Sequence, residues 1–300
     1  MNSSARHRLG HVTGLDRLHL IRQKLVLHLL RRSIVVLSFV SLILPITAYA
    51  GAAKEEYLPK VGQPGKDVVW VPNPAVMVAK LLDMAKVTPK DYVVDLGSGD
   101  GRNVIAAAKR GARAHGIEYN PDLVELSRKS AVKEGVSDRA TFEKDDIFKS
   151  NFSTATVVIL FLLPEMNVKL RPKLLDLKPG TRIVANTFAI GDWMADETVI
   201  AGDNCEHWCT GRLWIVPAKV AGPWELAQGE LTVKQNYQTF SGTLKSDHGT
   251  MLVTGRLRGD QIVFSSGGTQ YTGTVNGNTI DGFARTSGTD SKFRATRRGK

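Results

Sequence analysis

The stretch Asp95-Leu-Gly-Ser-Gly-Asp-Gly101 carries the most pointed chemistry in this chain. A hydrophobic run opening at Tyr92 ends in an acid, and glycines at 97, 99 and 101 follow before a helical pattern begins at Arg102. Glycines so placed let the backbone turn tightly and approach a ligand without interference from a Cβ. A second run, Ala114-His-Gly-Ile-Glu118, ends in another carboxylate 17 residues past Gly101, where an acid can accept both hydroxyls of a ribose. The spacing separates two kinds of ligand. A dinucleotide fingerprint reads G-x-G-x-x-G, with pyrophosphate at the helix end. Here the pattern is G-x-G-x-G preceded by Asp95, whose charge would repel a pyrophosphate. A carboxylate in that place suits a ligand bearing an ammonium or a sulfonium.

Positioning these groups takes strands that alternate with helices. Tyr92–Leu96, Ala114–Glu118, Thr141–Glu143, Thr156–Phe161 and Thr181–Ala185 read as strands, with helical patterns at 74–86, 102–110, 121–134 and 165–175. Such alternation implies an α/β fold, a parallel sheet with helices on both faces. Asn73 reads as a helix cap and Pro74 as a first helical residue. After Pro217 the character changes. Residues 222–300 are rich in Gly, Thr and Ser, with turn signals at 247–249, 258–260, 266–268 and 276–277 and alternating runs between them. A small antiparallel sheet or barrel is expected there.

Over residues 69–217 the chain resembles the class I S-adenosylmethionine-dependent methyltransferases, which have a Rossmann-like sheet. Asp95, Gly97, Gly99 and Gly101, with Ser98 inside the loop, match their first motif, and Glu118 matches the ribose-binding acid. In that family an acid after the third strand binds the adenine amino group. The resemblance gives that role to Asp146, with Asp145 beside it as the alternative; either acid could equally cap a helix. A narrower resemblance runs from Val69-Trp-Val-Pro-Asn-Pro74 through Asp95–Arg102 and Glu118-Tyr-Asn-Pro121 to Leu162-Leu-Pro164, and on to Leu177–Val184 and Gly191-Asp-Trp193. It is similar to the ATP synthase c-subunit lysine methyltransferases and their bacterial relatives. That resemblance implies N-methylation of a protein lysine, with S-adenosylmethionine as cofactor and a protein as partner. A small-molecule or lipid methyltransferase, and a non-catalytic cell-envelope module keeping the fold, are the competing readings.

The fourth strand narrows the acceptor. Enzymes acting on planar exocyclic or amide nitrogens carry [N/D]-P-P-[Y/F] there, whereas this chain has Leu163-Pro164-Glu165-Met166. A lysine amine, with an unperturbed pKa near ~10.4, must lose its proton before attack, and an apolar pocket assists by penalising the charged form. Phe161, Trp193 and Trp70 are candidate walls; Glu165 and Asp192 are candidate contacts for the amine. Each aromatic could instead be core, and Asp192 a turn residue.

Composition bounds the rest. The 300 residues are 42% hydrophobic and 23% charged, which describes a globular chain. The net charge of +11 is uneven: residues 1–50 hold seven Lys/Arg against one acid, and the remainder 33 against 28. The body is therefore no polybasic surface, and nucleic acid is not an expected partner. Residues 1–50 show a basic region, an apolar run from Ile34 to Leu44, and Ala48-Tyr-Ala50, the layout of a secretory signal cleaved after Ala50. The uncharged run 33–53 can also span a bilayer as an uncleaved anchor. Both place the body in the periplasm or cell envelope, in tension with a cofactor made in the cytoplasm; a mitochondrial presequence is the third reading. Residues 51–68 read as a linker, 69–220 as the transferase domain and 222–300 as an accessory domain separable near Lys219. Cys205 and Cys209, with His207 between them, match no standard zinc spacing; a short-range disulfide or two structural thiols is expected, and no metal.

Overall fold

The computed structural model describes residues 57–202 and 205–298. The leader and the first residues of the linker, 51–56, lie outside them. Helix α1 (Ala75–Met84) leads into β1 (Tyr92–Leu96), α2 (Arg102–Lys109), β2 (Arg113–Glu118), α3 (Pro121–Lys133), β3 (Ala140–Lys144), β4 (Val157–Leu160), α4 (Pro164–Leu175) and β5 (Arg182–Asn186). Two further strands, β6 (Glu197–Ile200) and β7 (Thr210–Ile215), complete a seven-stranded sheet in the order β3-β2-β1-β4-β5-β7-β6. Strands β1 to β5 are parallel, and β7 runs antiparallel to both neighbours.

The central strands β1, β4 and β5 are buried on both faces, so they read as nearly unbroken apolar runs, while the edge strands β3 and β6 are partly exposed. Val93 joins one core with Leu81, Leu82 and Ala107 of α1 and α2, while Val94 and Leu96 join another with Leu170 and Leu174 of α4. The order reverses between β1 and β4, and the chain leaves β1 and β4 in opposite directions from that point. A crevice must therefore open at the carboxyl ends of these strands.

Residues after Pro217 form a closed antiparallel barrel: β8 (Gly222–Leu226), β9 (Gly229–Asn236), β10 (Thr239–Ser246), β11 (Gly249–Arg258), β12 (Gln261–Ser266), β13 (Thr269–Asn276), β14 (Thr279–Thr286) and β15 (Thr289–Arg297), with β15 pairing back onto β8. Inward residues fill its lumen. Phe264 stacks on Tyr271 at 4.4 Å between ring centres, and Phe293 meets both edge-on. Eight strands are about the size at which side chains alone fill the interior.

The barrel is docked through contacts that run from a buried hydrogen bond to an exposed ion pair. Trp193 Nε1 donates to Gln238 Oε1 at 3.0 Å, Gln238 Nε2 donates to the Met194 carbonyl at 2.7 Å, and Tyr237 stacks on the Trp193 ring. Arg256 reaches Asp196, whose side chain is 1% exposed. The boundary that the sequence pattern marks near Lys219 thus carries a seam of paired polar groups and aromatic surface.

Candidate active site

The loop after β1 is built around glycines that no other residue could replace cheaply. Gly99 has φ +55°, and a Cβ there would sit 2.5 Å from Trp70 Nε1; Gly101, at φ +82°, would press on Phe142 and Ser127 at 2.8 Å. A tight left-handed path brings the backbone against its neighbours and opens the helix α2 directly behind it. Glu118, at the end of β2, ties this loop down. Its Oε2 accepts from the Gly99 N–H at 2.9 Å and its Oε1 from the Asn120 N–H at 2.9 Å. Each carboxylate oxygen keeps a second lone pair for a ligand hydroxyl.

Asp95 is 1% exposed and accepts from Asn103 Nδ2 at 3.0 Å. Burial pushes its carboxyl up to about 7; the Asn103 hydrogen bond works against that rise, and the charges of Glu118 and Asp100 add to it. A buried acid in this state is a site for a cation, which restores the charged form. Close by, Ser98 Oγ is buried against Gly116 of β2 and has no hydrogen-bond partner among the described residues.

Glu118 borders a cleft of about 700 Å³, lined also by Gly97, Asp146, Phe161, Leu162 and the segment 63–71. The part of the expected linker at 63–68 therefore lies on the site. Lys66 Nζ donates to Asp146 Oδ2 at 2.8 Å and stands 5.0 Å from the centre of the Tyr119 ring. The Lys66 bond holds Asp146 below the usual carboxylate range, and Asp146 Oδ1 accepts from the Phe148 N–H. Asp145 also lines the cleft, its carboxylate held by its own loop: Ser150 and the Asp146 N–H both donate to it, and the Ser150 bond lowers its pKa.

The other expected site residues separate. Trp70 and Phe161 line the cleft. Glu165 lies exposed in the first turn of α4. Trp193 is 1% exposed and faces the barrel seam, and Asp192 pairs with Arg171 and accepts from Tyr237 at 3.0 Å. Trp193 is thus an anchor for the barrel, and neither it nor Asp192 lines the cleft. Asn73 also departs from its expected role. It caps nothing; its side chain is buried, donating to Asn103 Oδ1 at 3.2 Å and accepting from Asn186 Nδ2 at 2.8 Å. Asn73 and Asn103 thereby link the end of β5 to Asp95. Cys205 and Cys209 form a disulfide, and among the described residues no group of three potential ligands could hold a metal.

The donors fit one cofactor. By the family's pattern Glu118 would take a ribose diol, Asp146 an adenine amine, and the buried Asp95 behind the glycine loop a cationic amino-acid end. S-adenosylmethionine has all three groups and supplies an electrophilic methyl on a sulfonium. The β3-β2-β1-β4-β5-β7-β6 sheet with this loop defines a class I S-adenosylmethionine-dependent methyltransferase.

The relatives narrow the class. Residues 95–197 match the family described as the ANTKMT methyltransferase domain. A protein-lysine N-methyltransferase of Saccharolobus islandicus is 42% identical over 144 residues, 47% of this chain and 89% of that protein. The ATP synthase c-subunit lysine N-methyltransferase of Xenopus laevis is 41% identical over 128 residues, 42% of this chain and 56% of that protein. A solved structure described as an RNA methyltransferase from Salinibacter ruber, in complex with S-adenosyl-L-homocysteine, is 44% identical, covers 50% of this chain and 96% of its own, and superposes with a TM-score of 0.47. The chain belongs to the methyltransferase family that includes the Saccharolobus protein-lysine N-methyltransferase and the ATP synthase c-subunit lysine N-methyltransferases.

Proposed function

We propose that this enzyme N-methylates a lysine side chain of a protein. The observation that carries the reading is the match, at 42% identity over 144 residues, to 89% of the length of a protein-lysine N-methyltransferase. The cleft chemistry supports it. Leu162 and Met166 give apolar walls, and Leu163-Pro164 stands where planar-nitrogen enzymes place polar groups. Apolar walls favour the neutral amine, and holding it in line with the methyl supplies much of the rate. Glu118, Asp95 and Asp146 orient the cofactor; no residue of the cleft need bond covalently to the methyl.

The same proposal puts the body outside the cytoplasm, exported or anchored by residues 1–53. The Cys205–Cys209 disulfide supports it, since such bonds persist in oxidising compartments. The test compares lysine methylation across the proteome of cells lacking the gene and of cells complemented with it, by mass spectrometry of fractionated proteins. A lysine site methylated only in complemented cells is expected. Identical lysine methylation in both strains would remove the reading.

A further inference from the structure

Three aromatic rings converge where the crevice opens beyond the cofactor groups. Phe161 directly follows β4, Phe188 lies two residues past β5, and Trp208 lies two residues before β7. Because β7 is antiparallel to β5, with Asn186 opposite Gly211, its beginning lies beside the end of β5. All three side chains therefore arrive at one edge of the sheet. Phe188 and Trp208 are 5.5 Å apart between ring centres, Phe161 and Trp208 5.9 Å, and Phe161 and Phe188 6.3 Å. Phe161 also lines the cleft with Gly97 and Glu118. The trio is thus continuous with the cofactor site.

These rings are not core. Phe161 and Phe188 are half-buried and Trp208 is 41% exposed, and none belongs to the buried clusters on either face of the sheet. Trp208 is held at φ +59°, a left-handed conformation that a bulky residue adopts only when its surroundings impose it. Here the constraint is at hand: Cys209 follows it, and the disulfide to Cys205 ties the segment to the core beside α1.

Resting on the lysine reading, we propose that Phe161, Phe188 and Trp208 form the acceptor subsite, gripping the aliphatic stem and amine of the substrate lysine. Four methylenes match apolar ring faces. As the lysine nitrogen forms its bond to the methyl carbon, the carbon–sulfur bond breaks and the positive charge passes from sulfur to nitrogen; one proton then leaves the nitrogen for solvent. Ring faces near that nitrogen stabilise the arriving charge. Phe188 and Trp208, which lie outside the cofactor cleft, therefore act on acceptor and transition state and leave cofactor binding alone.

The full-length protein and its Phe188→Ala, Trp208→Ala and Trp208→Phe variants are to be incubated with tritiated S-adenosylmethionine and a protein extract from cells lacking the gene, and in parallel with total RNA. Methyl-lysine is read after acid hydrolysis, and affinity for S-adenosylhomocysteine by calorimetry. Both alanine variants should form methyl-lysine at least about tenfold more slowly, Trp208→Phe within about threefold of wild type, and all should keep cofactor affinity within about twofold. Alanine variants as fast as a wild type that makes methyl-lysine would overturn the subsite and leave the lysine reading standing. Wild-type product without methyl-lysine, whether label sits in RNA or nowhere, would overturn the lysine reading and the subsite with it.

Discussion

Lys66 Nζ lies 2.8 Å from Asp146 Oδ2, so a residue of the irregular segment before α1 holds the acid that the adenine amine would contact. The bond raises the Lys66 pKa and lowers that of Asp146, so both stay charged across the neutral range. Adenine must displace this ammonium or share the carboxylate with it. Exposed pairs of this kind are weak and screened by salt. Lys66→Ala should therefore tighten cofactor binding by roughly two- to fivefold at low ionic strength, with the gain fading as salt is added. Calorimetric titration checks this; weaker binding in the variant would mean that Lys66 touches the bound cofactor.

Asp95 should make cofactor binding depend on pH. Its carboxyl, raised to about 7, is largely protonated below that value, and a cationic ligand binds the deprotonated form. Affinity should climb between about pH 5 and 7 with release of a proton, detectable by titration in buffers of different ionisation enthalpy. Asp95→Asn should weaken binding and abolish the proton release. Asn103→Leu removes the hydrogen bond that favours the charged form, and should move the midpoint upward.

The same acid acts on stability with the opposite sign. Its folded value lies above the unfolded one near 3.8, so the folded protein holds the extra proton between the two. Stability from this group is full below about pH 4 and is lost as pH rises towards 7. Urea midpoints of Asp95→Asn, compared with wild type at the two ends of that window, should gain relative to wild type as pH rises. A constant difference would show that Asp95 is charged throughout.

Gln238 bridges Trp193 Nε1 and the Met194 carbonyl at the seam beneath the barrel. Gln238→Leu leaves both unpaired in a dry place, and should cost about 2–4 kcal/mol by chemical denaturation. A chain ending at Lys219 should lose stability further, because it uncovers the Trp193 ring. Wild-type stability in Gln238→Leu would mean that water reaches the seam.

Reduction of the Cys205–Cys209 bond should slow lysine methylation severalfold while cofactor affinity holds, since the disulfide positions Trp208 and not Glu118. Closing so short a loop contributes at most about 2 kcal/mol to stability by chain entropy. Unchanged turnover in dithiothreitol would show that packing against Phe161 and Phe188 alone holds the ring.

The cofactor half of the site is legible in the sequence because its signals are local. Strand, acid, alternate glycines and helix follow one another within a dozen residues, and Glu118 ends the next strand. What escapes such a reading depends on distant partners. Asn73 reads as a cap because Asn before Pro-led helices usually caps, and the residue that redirects it, Asn186, lies 113 positions away. Trp193 has the composition of a pocket wall, but its indole N–H finds Gln238 in another part of the chain. Segment 57–68 shows no periodicity, which says that it is irregular without saying what it lies on. Strands β6 and β7 carry weak signals: β6 is a short exposed edge, and in β7 the adjacent buried Leu213 and Trp214 break the alternation. The acceptor rings Phe188 and Trp208 share no motif and meet only through the antiparallel register of β7.

The most direct test joins the cleft to the chemistry. Wild type and Glu118→Ala are incubated with tritiated S-adenosylmethionine and envelope protein from cells lacking the gene, and the hydrolysate is resolved for methyl-lysine. Charge-assisted hydrogen bonds to a ribose contribute ~1.5–3 kcal/mol each, so the variant should bind cofactor at least about tenfold more weakly. The expected result is tritiated methyl-lysine from wild type and at least about tenfold less from Glu118→Ala at low cofactor concentration, with the variant still folded. Label confined to lipid or small molecules, or equal methyl-lysine from both proteins, would contradict it.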